Sequence, residues 1–183
     1  LPQKLFEEKE LSVDECVDFL QQAVSILKER DPQVQVVLTV SPIRYAKYGF
    51  VASGLSKATL LLATHRLLGL HPDCTTYFPA YELMNDELRD YRFYAPDMLH
   101  PSEQAVEYIW QRFADTYLSF SAHAFLKEWQ PLQAALNHKP FNPDGAEYKA
   151  FLAKTLQDIR ALETKYGHKL DLSAYESIRI CEG

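Results

Sequence analysis

Glycine is scarce in this sequence. There are six in 183 residues, scattered, with no Gly-rich stretch to wrap a phosphate in backbone N–H groups. Cysteine is scarcer: Cys16, Cys74 and Cys181 are an odd number with no Cys-x-x-Cys spacing. That argues against a disulfide framework and favours a reducing, cytoplasmic compartment. No apolar run approaches the ~20 residues that span a bilayer. The best, Leu60-Leu61-Leu62-Ala63, soon meets Thr64, His65 and Arg66. No signal-peptide pattern opens the chain. Positive charge is in the minority, with 19 Lys and Arg against 25 Asp and Glu and a formal net charge of −6. That is the wrong sign for a chain that must neutralise phosphates. Neither nucleic acid nor a membrane is expected as a partner. The first residue is Leu1 and not Met, and the chain reads as though it starts inside a folded unit.

What is present is an alternation of helix and strand. Ser12 and Glu15 have capping-box spacing, which predicts a helix over 12–30. Val13, Cys16, Val17, Leu20, Ala23, Val24 and Leu27 make its apolar stripe. Val34 to Val40 is a short β-branched run of the buried-strand type. A loop of about a dozen residues follows Ser41-Pro42 at the carboxyl end of that strand, where open α/β sheets bind ligands. A second helix is predicted from Ser56 to about Leu68, stopped by Gly69, and a weaker strand over Thr75–Phe78. Residues 79–99 are crowded with Tyr, Arg and acids and read as short pieces stitched by ion pairs, an aromatic scaffold beneath a loop. Long helices are expected from Ser102, over 121–137 and over 146–166, the last two parted by a Pro- and Gly-containing turn. Two confident strands are too few for a stable parallel sheet. Either the ambiguous tail adds strands or the sheet's others lie outside this chain, and the second explanation is preferred.

One local pattern points to chemistry: Asp97-Met98-Leu99-His100-Pro101-Ser102. An Asp three residues before a His in a loop can place its carboxylate on one imidazole nitrogen, leaving the other to take a proton from a nucleophile. The spacing alone also suits a His that bridges a turn. Composition gives about 0.4 such matches by chance, so context has to decide. His65 and His71 lack the one-face spacing of a metal pair, and no carboxylate cluster joins them. Lys57 follows a helix cap and reads as solvated. No metal site and no cofactor are expected.

The strings TVSPIR (39–44), SKATLLLA (56–63), YFPAYELMNDELRDYRFYAPDM (77–98) and LHPS (99–102) resemble the GSCFA family of the SGNH-hydrolase-like superfamily. The resemblance implies an α/β fold, part of a flavodoxin-like three-layer α/β/α sheet. It places the C-terminal half of that domain in residues 1–118 and a helical C-terminal extension, packed on the same domain, in 119–183. It further implies that Asp97 and His100 are the later block of a Ser–His–Asp triad. The Gly-Ser-Cys-Phe-Ala string that resembles the nucleophile block is absent here. Where the family shows a His, an Asp-Gly pair and an Asn after TVSPIR, this sequence has Tyr45, Tyr48-Gly49 and Ser53. Arg44, Tyr45 and Ser53 are therefore candidate substrate-binding residues.

The expected activity is hydrolysis of an ester, such as an acyl group on a carbohydrate, and the chain by itself is expected to be inactive. The alternative is a non-catalytic binding or interaction module. A sheet face left uncovered would then find a second copy, giving a homo-oligomer.

Overall fold

A computed structural model describes residues 5–143, 145–173 and 175. The chain divides into two compact units, Leu1–Phe113 and Ala114–Gly183.

The first unit opens with helix α1 (Val13–Arg30). Its start is the predicted capping box: the Ser12 hydroxyl accepts from the Glu15 N–H, and the Glu15 carboxylate accepts from the Ser12 N–H. The Lys9 ammonium and the Ser12 donors hold the Glu15 carboxyl at about 2, below its ordinary 4.5. Only part of the predicted stripe is covered. Val17 and Val24 are buried, whereas Ala23 and Leu27 are exposed along with Phe19 and Ile26.

Strand β1 (Val36–Leu38) follows, then helix α2 (Gly49–Leu70) and strand β2 (Thr75–Tyr77). The strands are parallel, with Val36 opposite Thr75 and Leu38 opposite Tyr77, so β1-α2-β2 is one crossover unit. Among the described residues this two-stranded sheet is the only one. A small core joins the layers: Val24 of α1, Leu67 of α2 and Cys74 before β2 are buried together, with Leu20 and Leu38 against them. Cys74, in the turn before β2, is a core residue, and Cys16 and Cys74 are free thiols. Cys181 lies outside the described residues.

Helix α2 departs furthest from expectation. It begins seven residues before Ser56 and runs through Gly69 to a cap at His71. Gly49 has φ +85°, a conformation that an L side chain rarely adopts, and this lets the chain turn into the helix without a side-chain cap. The stretch taken as a long loop therefore ends at Tyr48. The outer side of α2 carries Val51, Leu55, Ala58, Leu62, His65 and Gly69, all exposed and spaced alternately four and three residues apart. Its only charged residues point elsewhere: Lys57 donates to the Ser41 carbonyl at 2.6 Å, and Arg66 pairs with Asp14 of α1.

After β2 the chain makes one helical turn, α3 (Ala80–Glu82), which widens into a π turn over Leu83–Glu87 closed by Leu88 N–H to the Leu83 carbonyl. A 3₁₀ turn (Tyr91–Phe93) and helix α4 (Glu103–Tyr117) follow. Met84, Leu88, Tyr94 and Ala105 form a second buried cluster, flanked by Phe93, Tyr108 and Ile109. Ion pairs are present in this stretch, Asp86–Arg89 at 3.5 Å and Asp90–Arg92 at 3.8 Å, but they are exposed and local. Exposed pairs of this kind contribute little. Apolar burial around Met84 does more to hold the segment.

In the second unit, α5 (Phe120–Leu136) and α6 (Ala146–Tyr166) form a helical hairpin. The Ser119 hydroxyl caps α5 by accepting from the Ala122 N–H, and Gly167 at φ +72° ends α6. Tyr148, Leu152, Thr155, Ile159 and Leu162 line the buried side of α6. Glu128 of α5 accepts from Lys165 at 2.7 Å and from Tyr166 at 2.9 Å.

Candidate active site

The turn between the 3₁₀ segment and α4 is a closed hairpin. Tyr94 and Pro101 make an isolated antiparallel bridge, and the Ala95 N–H donates to the His100 carbonyl at 2.8 Å. Within it, Met98 N–H donates to the Ala95 carbonyl at 2.9 Å, and Met98 sits at φ +59°. That left-handed value is uncommon for a residue other than Gly, Asn or Asp.

The hairpin brings together Asp97 and His100. Asp97 Oδ1 accepts the backbone N–H groups of Leu99 (2.9 Å) and His100 (3.0 Å), while Oδ2 lies 2.5 Å from His100 Nδ1. One carboxylate thus shapes the turn with one oxygen and orients the imidazole with the other. Nε2 makes no hydrogen bond among the described residues, and the two side chains are 56% and 45% exposed, His100 and Asp97 respectively. An imidazole fixed at Nδ1 and open at Nε2 is in the tautomer a general base needs.

The backbone N–H groups of His100 and Leu99, and then the imidazole, hold the Asp97 carboxyl at about 2, below its ordinary 3.8. The sign follows from linkage. The carboxylate's support of the turn is complete above 3.8 and is lost as pH falls through about 2. The expected result is a carbon-detected carboxyl titration of Asp97 with a midpoint near 2. A midpoint at 3.8 would contradict the oriented dyad.

The other candidate residues divide. Arg44 joins the dyad's turn: its N–H donates to the Leu99 carbonyl at 3.1 Å, and its guanidinium lies 4.1 Å from the Tyr94 ring centroid. Tyr45 is exposed, with its ring edge-on to Tyr48 at 5.5 Å. Ser53, expected in the loop, lies instead within α2, where it is 7% exposed, because the helix starts at Gly49. Its hydroxyl accepts the Tyr45 N–H at 3.1 Å, so it ties down the loop. Lys57 is tied in the same way to Ser41, and burial holds its ammonium below the usual lysine range.

A concavity of about 780 Å³ lies in the second unit, lined by aromatic side chains including Phe141, Tyr148 and Phe151. None of the candidate residues lines it, and the dyad sits on open surface. Sequence reasoning singled out nothing there. Among the described residues no group of three or more His, Cys, Asp or Glu could hold a metal ion, and no helix is long and apolar enough to cross a membrane.

Comparison with known families gives two matches. The GSCFA family model matches residues 1–113, and a model described as the GSCFA domain protein, C-terminal domain, matches residues 129–175. No curated protein and no solved structure matches the chain. The two matches correct the expectation that the chain is the C-terminal portion of one domain: the family's own model covers 1–113, and a separate C-terminal model covers most of the helical hairpin. With more than half of its length matched, the chain belongs to the GSCFA family.

Proposed function

We propose that this protein contributes the base and its orienting acid to an SGNH-type hydrolase acting on an ester, such as an acyl group on a carbohydrate. The observation that carries this reading is the Asp97–His100 pair, with Oδ2 at 2.5 Å from Nδ1 and the imidazole half exposed. His100 Nε2 would accept the proton of a serine hydroxyl as it attacks the ester carbonyl, then return it to the leaving alkoxide. Asp97 would stay ionised and stabilise the imidazolium. Two features support placing the first unit in a flavodoxin-like three-layer α/β/α fold: the β1-α2-β2 crossover, and a dyad loop that touches the loop after the carboxyl end of β1. The serine belongs to the family's Gly-Ser-Cys-Phe-Ala block, which this sequence does not contain. The 183-residue chain alone is therefore expected to be inactive. A protein that carries that block together with these residues is expected to turn over p-nitrophenyl acetate and to react with a fluorophosphonate. Failure of both overturns the hydrolase reading.

A second reading, an interaction module that pairs with its own copy, is favoured by the outer side of α2. Val51 is 81% exposed, Leu55 67% and Leu62 55%, on a stripe with no charged side chain. Alternating four- and three-residue spacing is what helix-on-helix packing requires. Sedimentation is expected to show self-association rising with concentration. A Leu55→Glu, Leu62→Glu double variant should then remain monomeric. A wild-type chain that is monomeric throughout removes this reading.

A further inference from the structure

We propose that Arg44 is a positioning residue for His100: its guanidinium clamps the Asp97–His100 turn from outside. The inference rests on reading His100 as the base.

Arg44 lies six residues beyond the end of β1, yet its contacts converge on the dyad's hairpin. Its backbone N–H donates to the Leu99 carbonyl at 3.1 Å. The guanidinium carbon sits over the Tyr94 ring at 4.1 Å, and Nη1 reaches the Met98 carbonyl at 3.5 Å. Tyr94 is a fixed platform, because it is buried with Met84, Leu88 and Ala105 and pairs across the hairpin with Pro101. Among the described residues no carboxylate pairs with Arg44, an unusual disposition for this side chain. Its charge is spent on a ring face and a peptide carbonyl.

The geometry explains why the contacts fall there. The Met98 peptide is in the left-handed region, where the backbone gains nothing from its own conformation. Its carbonyl and that of Leu99 are the two acceptors between Asp97 and His100, and Arg44 meets both. If that peptide rotates, the Leu99 and His100 N–H groups swing away from Asp97 Oδ1, and Oδ2 loses its line to Nδ1. A flat guanidinium can lie on a ring and reach a carbonyl together, whereas an ammonium makes only one of these contacts well.

The test uses Arg44→Met, which keeps the apolar stem, and Arg44→Lys, which keeps the charge. The backbone bond to Leu99 is available to both, so dispersed amide spectra are expected for each. In wild type the proton on His100 Nδ1 should be protected by Asp97. Both variants are expected to speed its exchange with water by about tenfold, the scale of one cation–π contact. In a protein that also carries the Gly-Ser-Cys-Phe-Ala block, kcat for p-nitrophenyl acetate should fall by a similar factor with KM unchanged. Unchanged exchange in folded Arg44→Met overturns the proposal, as does full rescue by Arg44→Lys. A raised KM with unchanged kcat overturns it too, in favour of direct substrate contact. Absence of any turnover would count against the hydrolase reading alone, since the exchange measurement still decides the clamp.

Discussion

Replacing His100 with Ala is expected to cut p-nitrophenyl acetate turnover, in a protein that also carries the Gly-Ser-Cys-Phe-Ala block, by about 10³-fold or more, the usual cost of removing a triad base. The fold should not suffer. The imidazole is 56% exposed, and the two N–H bonds that shape the turn come from the backbone of Leu99 and His100 to Asp97 Oδ1, so they survive the loss of the ring. That separation makes the variant informative: an unchanged melting curve with lost turnover locates the defect in proton transfer. Residual rate would come from whatever stabilises the oxyanion, which no residue of the dyad supplies. A folded His100→Ala protein with undiminished turnover would sink the assignment of His100 as base.

Met84→Ala should instead destabilise the first unit by about 2–5 kcal/mol. Met84 is fully buried in the π turn and packs with Leu88, Tyr94 and Ala105. Truncation removes most of a side chain from the middle of that cluster, and a π turn closed by its own Leu88-to-Leu83 bond has little freedom to collapse into the hole. Tyr94 is both a wall of this cluster and the near strand of the dyad hairpin. The loss should therefore be felt at His100 through Tyr94. Urea unfolding should show a lowered midpoint with unchanged slope. Met84→Leu, which conserves volume, should cost less than about 1.5 kcal/mol. Equal effects from both variants would mean that the cluster is not packed as described.

Much of this was legible in the sequence where a side chain announces its own role. Ser12 and Glu15 predicted their mutual bonds, and the Asp97–His100 spacing foretold the contact seen at 2.5 Å. The α/β alternation was readable too, since the β-branched Val36 and Val37 make up most of the strand Val36–Leu38. The failures share a cause: they are places where backbone conformation or a distant neighbour decides. Helix α2 starts at a glycine with no capping side chain, so Ser56 looked like the better beginning. Met84 lies on a π turn that Leu88 closes, and its spacing fits neither a helix nor a strand period, so their burial was hidden behind the tyrosines and arginines around them. Ala23 and Leu27 have the right periodicity on α1, but only the side that carries Val17 and Val24 is buried. Ser53 changed from loop to helix for the same reason that α2 grew.

The left-handed Met98 has a consequence for how this protein can drift. Glycine at position 98 would relieve about 1–2 kcal/mol of backbone strain, so selection for thermal robustness alone would favour it there. It would also return to the unfolded chain the freedom that a side chain removes, and with it some looseness in the turn that orients the His100 imidazole on Asp97. Stability and aim pull in opposite directions at that residue, and a library varied there would separate clones selected for robustness from those selected for turnover.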